Sequence, residues 1–137
     1  MRILVVEDDF ISRRLLCRYL EPFGSCDIAV NGREAVQAFR QALTRRELYD
    51  LVCLDIMMPD KDGLETLREI RTLEDKFGVE LDDSAKVMMT TALEDNRSVT
   101  KAFRSRCDGY VVKPIDRKKF LQTLLDMGLA VTVAPAR

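Results

Sequence analysis

The chain contains no histidine. That absence removes His-based general bases, catalytic triads, phosphohistidine chemistry and the imidazole ligands that usually complete a zinc site. Any chemistry must run on carboxylates, hydroxyls and lysine. The four cysteines (Cys17, Cys26, Cys53, Cys107) show no Cys-x-x-Cys spacing, so they read as reduced, mostly buried thiols of a cytoplasmic protein. No apolar run approaches the roughly 20 residues of a membrane span, so no membrane partner is expected. The opening Met1-Arg2-Ile3-Leu4-Val5-Val6 enters a strand directly with acids behind it, without the pattern of a signal peptide. A basic excess is missing too: Lys+Arg 22 against Asp+Glu 23, net charge -1, which argues against direct nucleic-acid binding. Repeats, low-complexity segments and internal linkers are also absent. What remains is 137 residues, 47% hydrophobic and 33% charged, enough for one domain with a substantial core.

Five short apolar runs, at residues 3–6, 26–30, 51–54, 87–90 and 110–112, are the predicted strands. Helical stripes separate them. The first carries Ile11, Leu15, Leu16, Tyr19 and Leu20, and Pro22 and Gly24 stop it. Asn31-Gly32 reads as a turn before a second helix with Ala35, Val36, Phe39 and Leu43, running to about Arg46. A third begins near Asp62 and sets Leu64, Leu67, Ile70, Leu73 and Phe77 on one face. The fourth, over residues 95–104, has a sparse stripe of Val99, Ala102 and Phe103, and so is expected to be the least firmly packed. Asp116 caps the fifth, with Phe120, Leu121, Leu124 and Leu125 inward, and Gly128 ends it. Residues 78–85 form a polar, acidic connection longer than the usual roughly 2–6 residues. The domain is expected to span residues 1–128, with a flexible tail over 129–137. Apolar strands alternating with helices predict an α/β fold: a doubly wound, flavodoxin-like, five-stranded parallel sheet in the order 2-1-3-4-5, covered on both faces.

In such a sheet, ligands bind beyond the carboxyl ends of the strands, where the strand order reverses. Glu7 and Asp8 follow the first strand, Asp55 the third, Thr91 the fourth and Lys113 the fifth. Taken singly, each has a plainer reading. Asp8 or Asp9 can cap the first helix. Thr91 can bond its own backbone, Lys113 can be a solvated lysine and Asp55 a turn residue. Their joint placement at one edge of one sheet favours function. Two carboxylates about 4 Å apart repel by roughly 4 kcal/mol at an effective dielectric of about 20, so three of them need cations beside them. Lys113 supplies one charge. Oxygen-only ligands favour Mg²⁺ over softer metals, and a free strand-end aspartate beside that ion can act as nucleophile in phosphoryl transfer.

These residues resemble the receiver domain of bacterial two-component response regulators, chemotaxis-type and single-domain, over about residues 2–128. The matching pieces are Ile3-Leu4-Val5-Val6-Glu7-Asp8-Asp9, the stretch from Asp50 to Gly63, Thr90-Thr91-Ala92, and Gly109-Tyr110-Val111-Val112-Lys113-Pro114. The strand order is also that of a chemotaxis member of this family, so the topology is shared between the two lines of argument. The resemblance implies that Asp55 accepts phosphate from a histidine kinase or histidine phosphotransfer protein. It implies that Asp8 ligates Mg²⁺ directly and Glu7 through water, with Asp55 and the Met57 backbone carbonyl as further ligands. Lys113 would contact the phosphoryl oxygens, Thr91 would swing to hydrogen-bond one of them, and Tyr110 would be an aromatic switch moving inward as Thr91 vacates its space. The Lys113-Pro114 bond is expected to be cis. Phosphorylation adds about -1.5 to -2 charge, enough to bias a bistable face made of the fourth helix, fifth strand and fifth helix.

Positions two after Asp55 and two after Thr91 influence phosphoryl lifetime in the family. Here they are Met57 and Leu93, which cannot position a water, so slow autodephosphorylation is expected. Pro59 and Gly63 shape the loop beside the site. Winged-helix members carry an acidic residue before the switch aromatic and arginines on the last helix. Gly109, Thr123 and Ala130 depart from that pattern, which leaves a homodimer of that kind open. If the chain is the whole protein, the stretch after Gly128 is too short for an effector domain, and the output is expected to be gated binding of a downstream protein, or relay of phosphate onward. If it is an excised receiver, the partner could be any fused domain. The competing reading is a haloacid-dehalogenase-type phosphatase, which needs an aspartate where Met57 stands. A flavin carrier needs a phosphate loop where Glu7-Asp8-Asp9 would repel one.

Overall fold

The computed structural model describes residues 1–58, 61–92 and 96–133. Its elements in chain order are β1 (Arg2–Val6), α1 (Phe10–Leu20), β2 (Ser25–Ala29), α2 (Gly32–Arg45), β3 (Leu51–Asp55), α3 (Gly63–Lys76), β4 (Lys86–Thr91), α4 (Asn96–Arg104), β5 (Gly109–Val112) and α5 (Arg117–Asp126). The five strands are all parallel in the order β2-β1-β3-β4-β5, the expected doubly wound arrangement. Pro59, Leu93 and Asp95 lie outside the described residues, so the expectations attached to them have no structural counterpart here.

Short polar side chains start the helices. Asp9, Asn31, Asp62 and Asp116 are N-caps, each accepting from the backbone N–H three residues on, at 2.8, 2.9, 2.9 and 3.0 Å. The pair Asn31-Gly32 is therefore a helix start rather than a free turn. Asn suits both roles because its carbonyl can bond locally in either. Gly32 packs where a Cβ would fall 2.3 Å from the Thr66 hydroxyl, which brings α2 close to α3.

The sheet separates two apolar clusters. On one face, Leu4, Val52, Leu54, Val87 and Met89 meet α2, α3 and Ala102 of α4. On the other, Ile3, Val5, Cys53, Met88 and Val111 meet Leu16 and Leu20 of α1 and Phe120, Leu121 and Leu124 of α5. The central strands β1, β3 and β4 are buried nearly throughout, whereas the edge strands β2 and β5 are partly exposed. Helices thus lie on both faces, as expected, and the sheet edges keep side chains in water. The helical stripes are also narrower than their apolar residues imply: Ile11, Phe77 and Leu125 are exposed. The segment after α5 lacks a sequence pattern, yet Val131 is buried and Leu129 and Val133 pack beside it on the α1/α5 cluster.

The long connection after α3 contains one turn of 3₁₀ helix, Leu81–Asp83. It is held by a buried pair that the sequence pattern did not reveal. Arg71 donates to Glu74 Oε1 (2.7 Å), Ser84 Oγ (2.9 Å), the Ala85 carbonyl (2.8 Å), the Arg106 carbonyl (2.8 and 3.0 Å) and Asp108 Oδ2 (3.0 Å). The second Glu74 oxygen accepts from the Ala85 N–H at 2.8 Å. One side chain thus ties α3 to the start of β4 and to the approach of β5. All four cysteines are free, and burial pushes their thiols up, Cys26 and Cys107 to about 11.

Candidate functional site

Side chains alternate along a strand, so residues two apart share a face. Val5, Cys53, Met88 and Val111 all face α1 and α5. Two residues further along the same strands stand Glu7, Asp55, Thr90 and Lys113. The apolar runs thus carry four polar groups to one end of one face. Lys113 joins them physically: its ammonium donates to Glu7 Oε1 at 2.7 Å and to Asp55 Oδ2 at 3.1 Å. Glu7 is fully buried and Asp55 is 4% exposed. Asp8 is exposed at the rim, and one carboxylate oxygen each from Glu7, Asp8 and Asp55 lies within 4.8 Å of the others.

Backbone contacts fix this geometry. The Glu7 N–H donates to the Ala29 carbonyl at 3.1 Å, and the Ile56 N–H to the Thr90 carbonyl at 3.0 Å. Asp55 Oδ1 accepts the Met57 N–H at 3.2 Å. The Gly63 N–H returns to the Ile56 carbonyl at 2.9 Å, closing the loop onto β3. Only glycine permits that approach, because a Cβ at position 63 would fall 2.2 Å from the Asp55 carbonyl oxygen. On the other side, Arg13 of α1 donates to the carbonyls of Glu7 (3.1 Å) and Asp8 (3.4 Å). That clamp was not anticipated. Arginine on a helix reads as solvated, and only the loop's spatial return brings the carbonyls within reach.

Burial pushes the Glu7 carboxyl up, and the neighbouring Asp55 adds to the effect while Lys113 opposes it. Burial also works against the Lys113 charge, but Glu7 and Asp55 outweigh it and hold that pKa above its ordinary value. The two carboxylates thus hold the Lys113 charge, while Glu7 sits where burial and Asp55 work against its own. Three clustered carboxylates with only oxygen donors suit a hard divalent ion such as Mg²⁺.

The remaining expected residues lie on the opposite face. Thr91 is two residues beyond Met89, and Tyr110 is in register with Met89. The Thr91 hydroxyl donates to the Ala92 carbonyl at 3.3 Å, the local bond anticipated for it as the plain alternative. Tyr110 is 42% exposed and stands edge-on to Phe103 of α4, with ring centroids 5.9 Å apart at 85°. The Lys113-Pro114 peptide bond is cis. Before Tyr110, Gly109 packs where a Cβ would fall 2.8 Å from Met127 Sδ, so any side chain there has to displace the Met127 thioether.

In sequence and in fold the chain is similar to known proteins. The family model described as response regulator receiver domain matches residues 3–125. The chain is 33% identical over 129 residues to a chemotaxis protein CheY of Halobacterium salinarum, covering 92% of this chain and 95% of that protein. It is 29% identical over 127 residues to the osmosensing histidine protein kinase SLN1 of Saccharomyces cerevisiae, covering 91% of this chain but 10% of the kinase. Among solved structures, the receiver domain of the histidine kinase CKI1 from Arabidopsis thaliana, complexed with Mg2+ and BeF3-, gives a TM-score of 0.81 at 25% identity. That match covers 93% of this chain and 89% of that one.

Proposed function

Because the chain belongs to the response regulator receiver domain family, we propose that Asp55 is its phosphoacceptor and that the protein is a switch rather than a turnover enzyme. The observation that carries this reading is Lys113 bridging Glu7 and Asp55 across the end of the sheet, beside Asp8. An Asp55 oxygen attacks the phosphorus of a phosphohistidine on a histidine kinase or phosphotransfer protein. The P–O bond forms as the P–N bond breaks, and the electron pair of that bond stays on the imidazole nitrogen. Glu7, Asp8, Asp55 and the Met57 carbonyl would hold Mg²⁺, which when bound neutralises phosphoryl oxygens.

Lys113 then transfers its N–H donors from carboxylate to phosphoryl oxygens. Thr91 gives up its weak bond to the Ala92 carbonyl and turns toward the same oxygens. Tyr110, on the Thr91 face of β5, leaves its half-exposed position against Phe103 and moves inward. The α4–β5–α5 surface changes shape accordingly and gates a downstream protein. The kinase or phosphotransfer partner and the downstream protein are both proteins, and the free thiols support a reducing, cytoplasmic setting. The Met57 side chain, an exposed thioether beside Asp55, supports slow hydrolysis of the phosphoryl group.

Incubation with acetyl phosphate and Mg²⁺, read by intact mass, tests the assignment. Wild type should gain one phosphoryl group and Asp55→Asn none. No gain in wild type, or an equal gain in the variant, would refute it.

A further inference from the structure

Among the described residues, one buried side-chain polar atom has no hydrogen-bond partner: the hydroxyl oxygen of Thr90. Thr90 is 1% exposed, and its backbone is in register with Asp55 on β3 and Val111 on β5. A buried unpaired hydroxyl costs free energy, and this one stands on the same face as the charged cluster.

Its neighbours say what it is for. Lys113 follows β5, while its two partners follow β3 and β1. In the order β1-β3-β4-β5, the lysine chain must pass over the end of β4 to reach them. On that face, the β4 residue in register with Asp55 is Thr90. The ammonium has three N–H groups, and two are spent on Glu7 and Asp55. One donor and one unpaired hydroxyl therefore lie on the same path. Thr91, the next residue, points to the other face, so Thr90 is not a second copy of that group.

Resting on the phosphoacceptor reading of Asp55, we infer that Thr90 is a positioning residue for Lys113. When Asp55 becomes an acyl phosphate, the lysine follows the negative charge onto the phosphoryl oxygens. The Thr90 hydroxyl accepts an N–H of the ammonium and so holds it over the phosphoryl oxygens. The hydroxyl is unpaired in the resting protein because Glu7 and Asp55 hold the ammonium away from it until the phosphoryl group draws the lysine over.

Thr90→Val removes the hydroxyl at nearly constant shape, and Thr90→Ser keeps it. In the unphosphorylated, metal-free protein, Thr90→Val should melt at the same temperature as wild type or higher, because an unsatisfied group has gone. With acetyl phosphate and Mg²⁺, its phosphoryl uptake should slow about tenfold, the worth of one hydrogen bond to a charged group. Thr90→Ser should stay within about twofold of wild type. A Thr90→Val rate within that same margin overturns the inference while leaving Asp55 as acceptor. Equal slowing in both variants also overturns it, since packing and not the hydroxyl would then be responsible. A lowered melting temperature in metal-free Thr90→Val does so too, because the hydroxyl would then have a resting partner. Wild type that takes no phosphoryl group removes the Asp55 reading, and this inference with it.

Discussion

Replacing Arg71 by methionine should be among the most damaging single changes outside the phosphorylation site. The guanidinium is 5% exposed and makes contacts of 2.7–3.0 Å with Glu74, Ser84, Ala85, Arg106 and Asp108. Methionine keeps much of the apolar volume but leaves Glu74, 4% exposed, as a buried carboxylate without a cation. Glu74 retains the Ser84 hydroxyl at 2.9 Å and the Ala85 N–H at 2.8 Å, which soften the loss without neutralising the charge. Asp108 retains the Val87 N–H at 2.8 Å. Removing one partner of a buried pair costs about 3–5 kcal/mol, against a total stability of about 5–15 kcal/mol for a domain. The expected fall in melting temperature is roughly 10–20 °C for a domain of this size. Urea unfolding of wild type, Arg71→Met and Arg71→Met/Glu74→Leu separates the terms. The double variant should recover part of the loss, because the uncompensated carboxylate is gone as well. Asp75→Asn, at the exposed Asp75–Arg106 pair, is the control and should cost at most about 1 kcal/mol. A loss below about 1 kcal/mol for Arg71→Met, or a double variant no better than the single, would show that the network does not carry the energy assigned to it.

Two further outcomes follow from named contacts. Gly63→Ala places a Cβ 2.2 Å from the Asp55 carbonyl oxygen and 2.8 Å from Ile56 Cα, both backbone atoms. It should cost about 1–3 kcal/mol by overpacking and slow phosphoryl uptake, and normal values of both by urea melt and mass gain would contradict the close approach. Burial, reinforced by Asp27 at 2.6 Å, pushes the Tyr49 phenol from 10.0 up to about 12. A raised acid pKa gives stability that is fully present below the unfolded value and is lost as pH climbs through the folded one. Wild type should therefore lose urea resistance between about pH 10 and 12 more steeply than Tyr49→Phe, and parallel slopes would refute the shift.

Much of the fold was legible because its signal is local. Apolar runs ending on Glu7, Asp55 and Thr91 mark buried strands and their carboxyl ends at once, and parallel topology sends those ends to one edge. Packing that depends on distant partners was not legible. Arg71 looks like any helix-surface arginine until the chain returns with Ser84, Arg106 and Asp108, residues 13–37 positions away. Ile11, Phe77 and Leu125 fit helical stripes, but a sheet of five strands covers only part of each helix, so the flanks of the stripe stay in water. Thr90 was within reach. Counting two residues on from Met88, as from Cys53 to Asp55, assigns it to the acidic face.

That alternation bears on how a charge change at Asp55 can reach the output surface. Thr90 and Thr91 are consecutive and project to opposite faces of β4, one toward the Glu7–Asp55–Lys113 cluster and the other toward α4. The same stretch of backbone serves both sides: the Thr90 carbonyl accepts from Ile56 at 3.0 Å and the Thr91 carbonyl from Lys113 at 2.8 Å. A pull on Lys113 from the acidic face is therefore also a pull on the backbone that aims the Thr91 hydroxyl. On the Thr91 face, Tyr110 is half exposed and meets Phe103 edge-on, so it is cheaper to move than its enclosed neighbours. The buried neighbours Met89 and Ala102 are fully enclosed and resist displacement. The stiff element is the end of β4 and the yielding one is the Tyr110–Phe103 contact, so on the proposed reading the response would be directed outward to the α4–β5 surface.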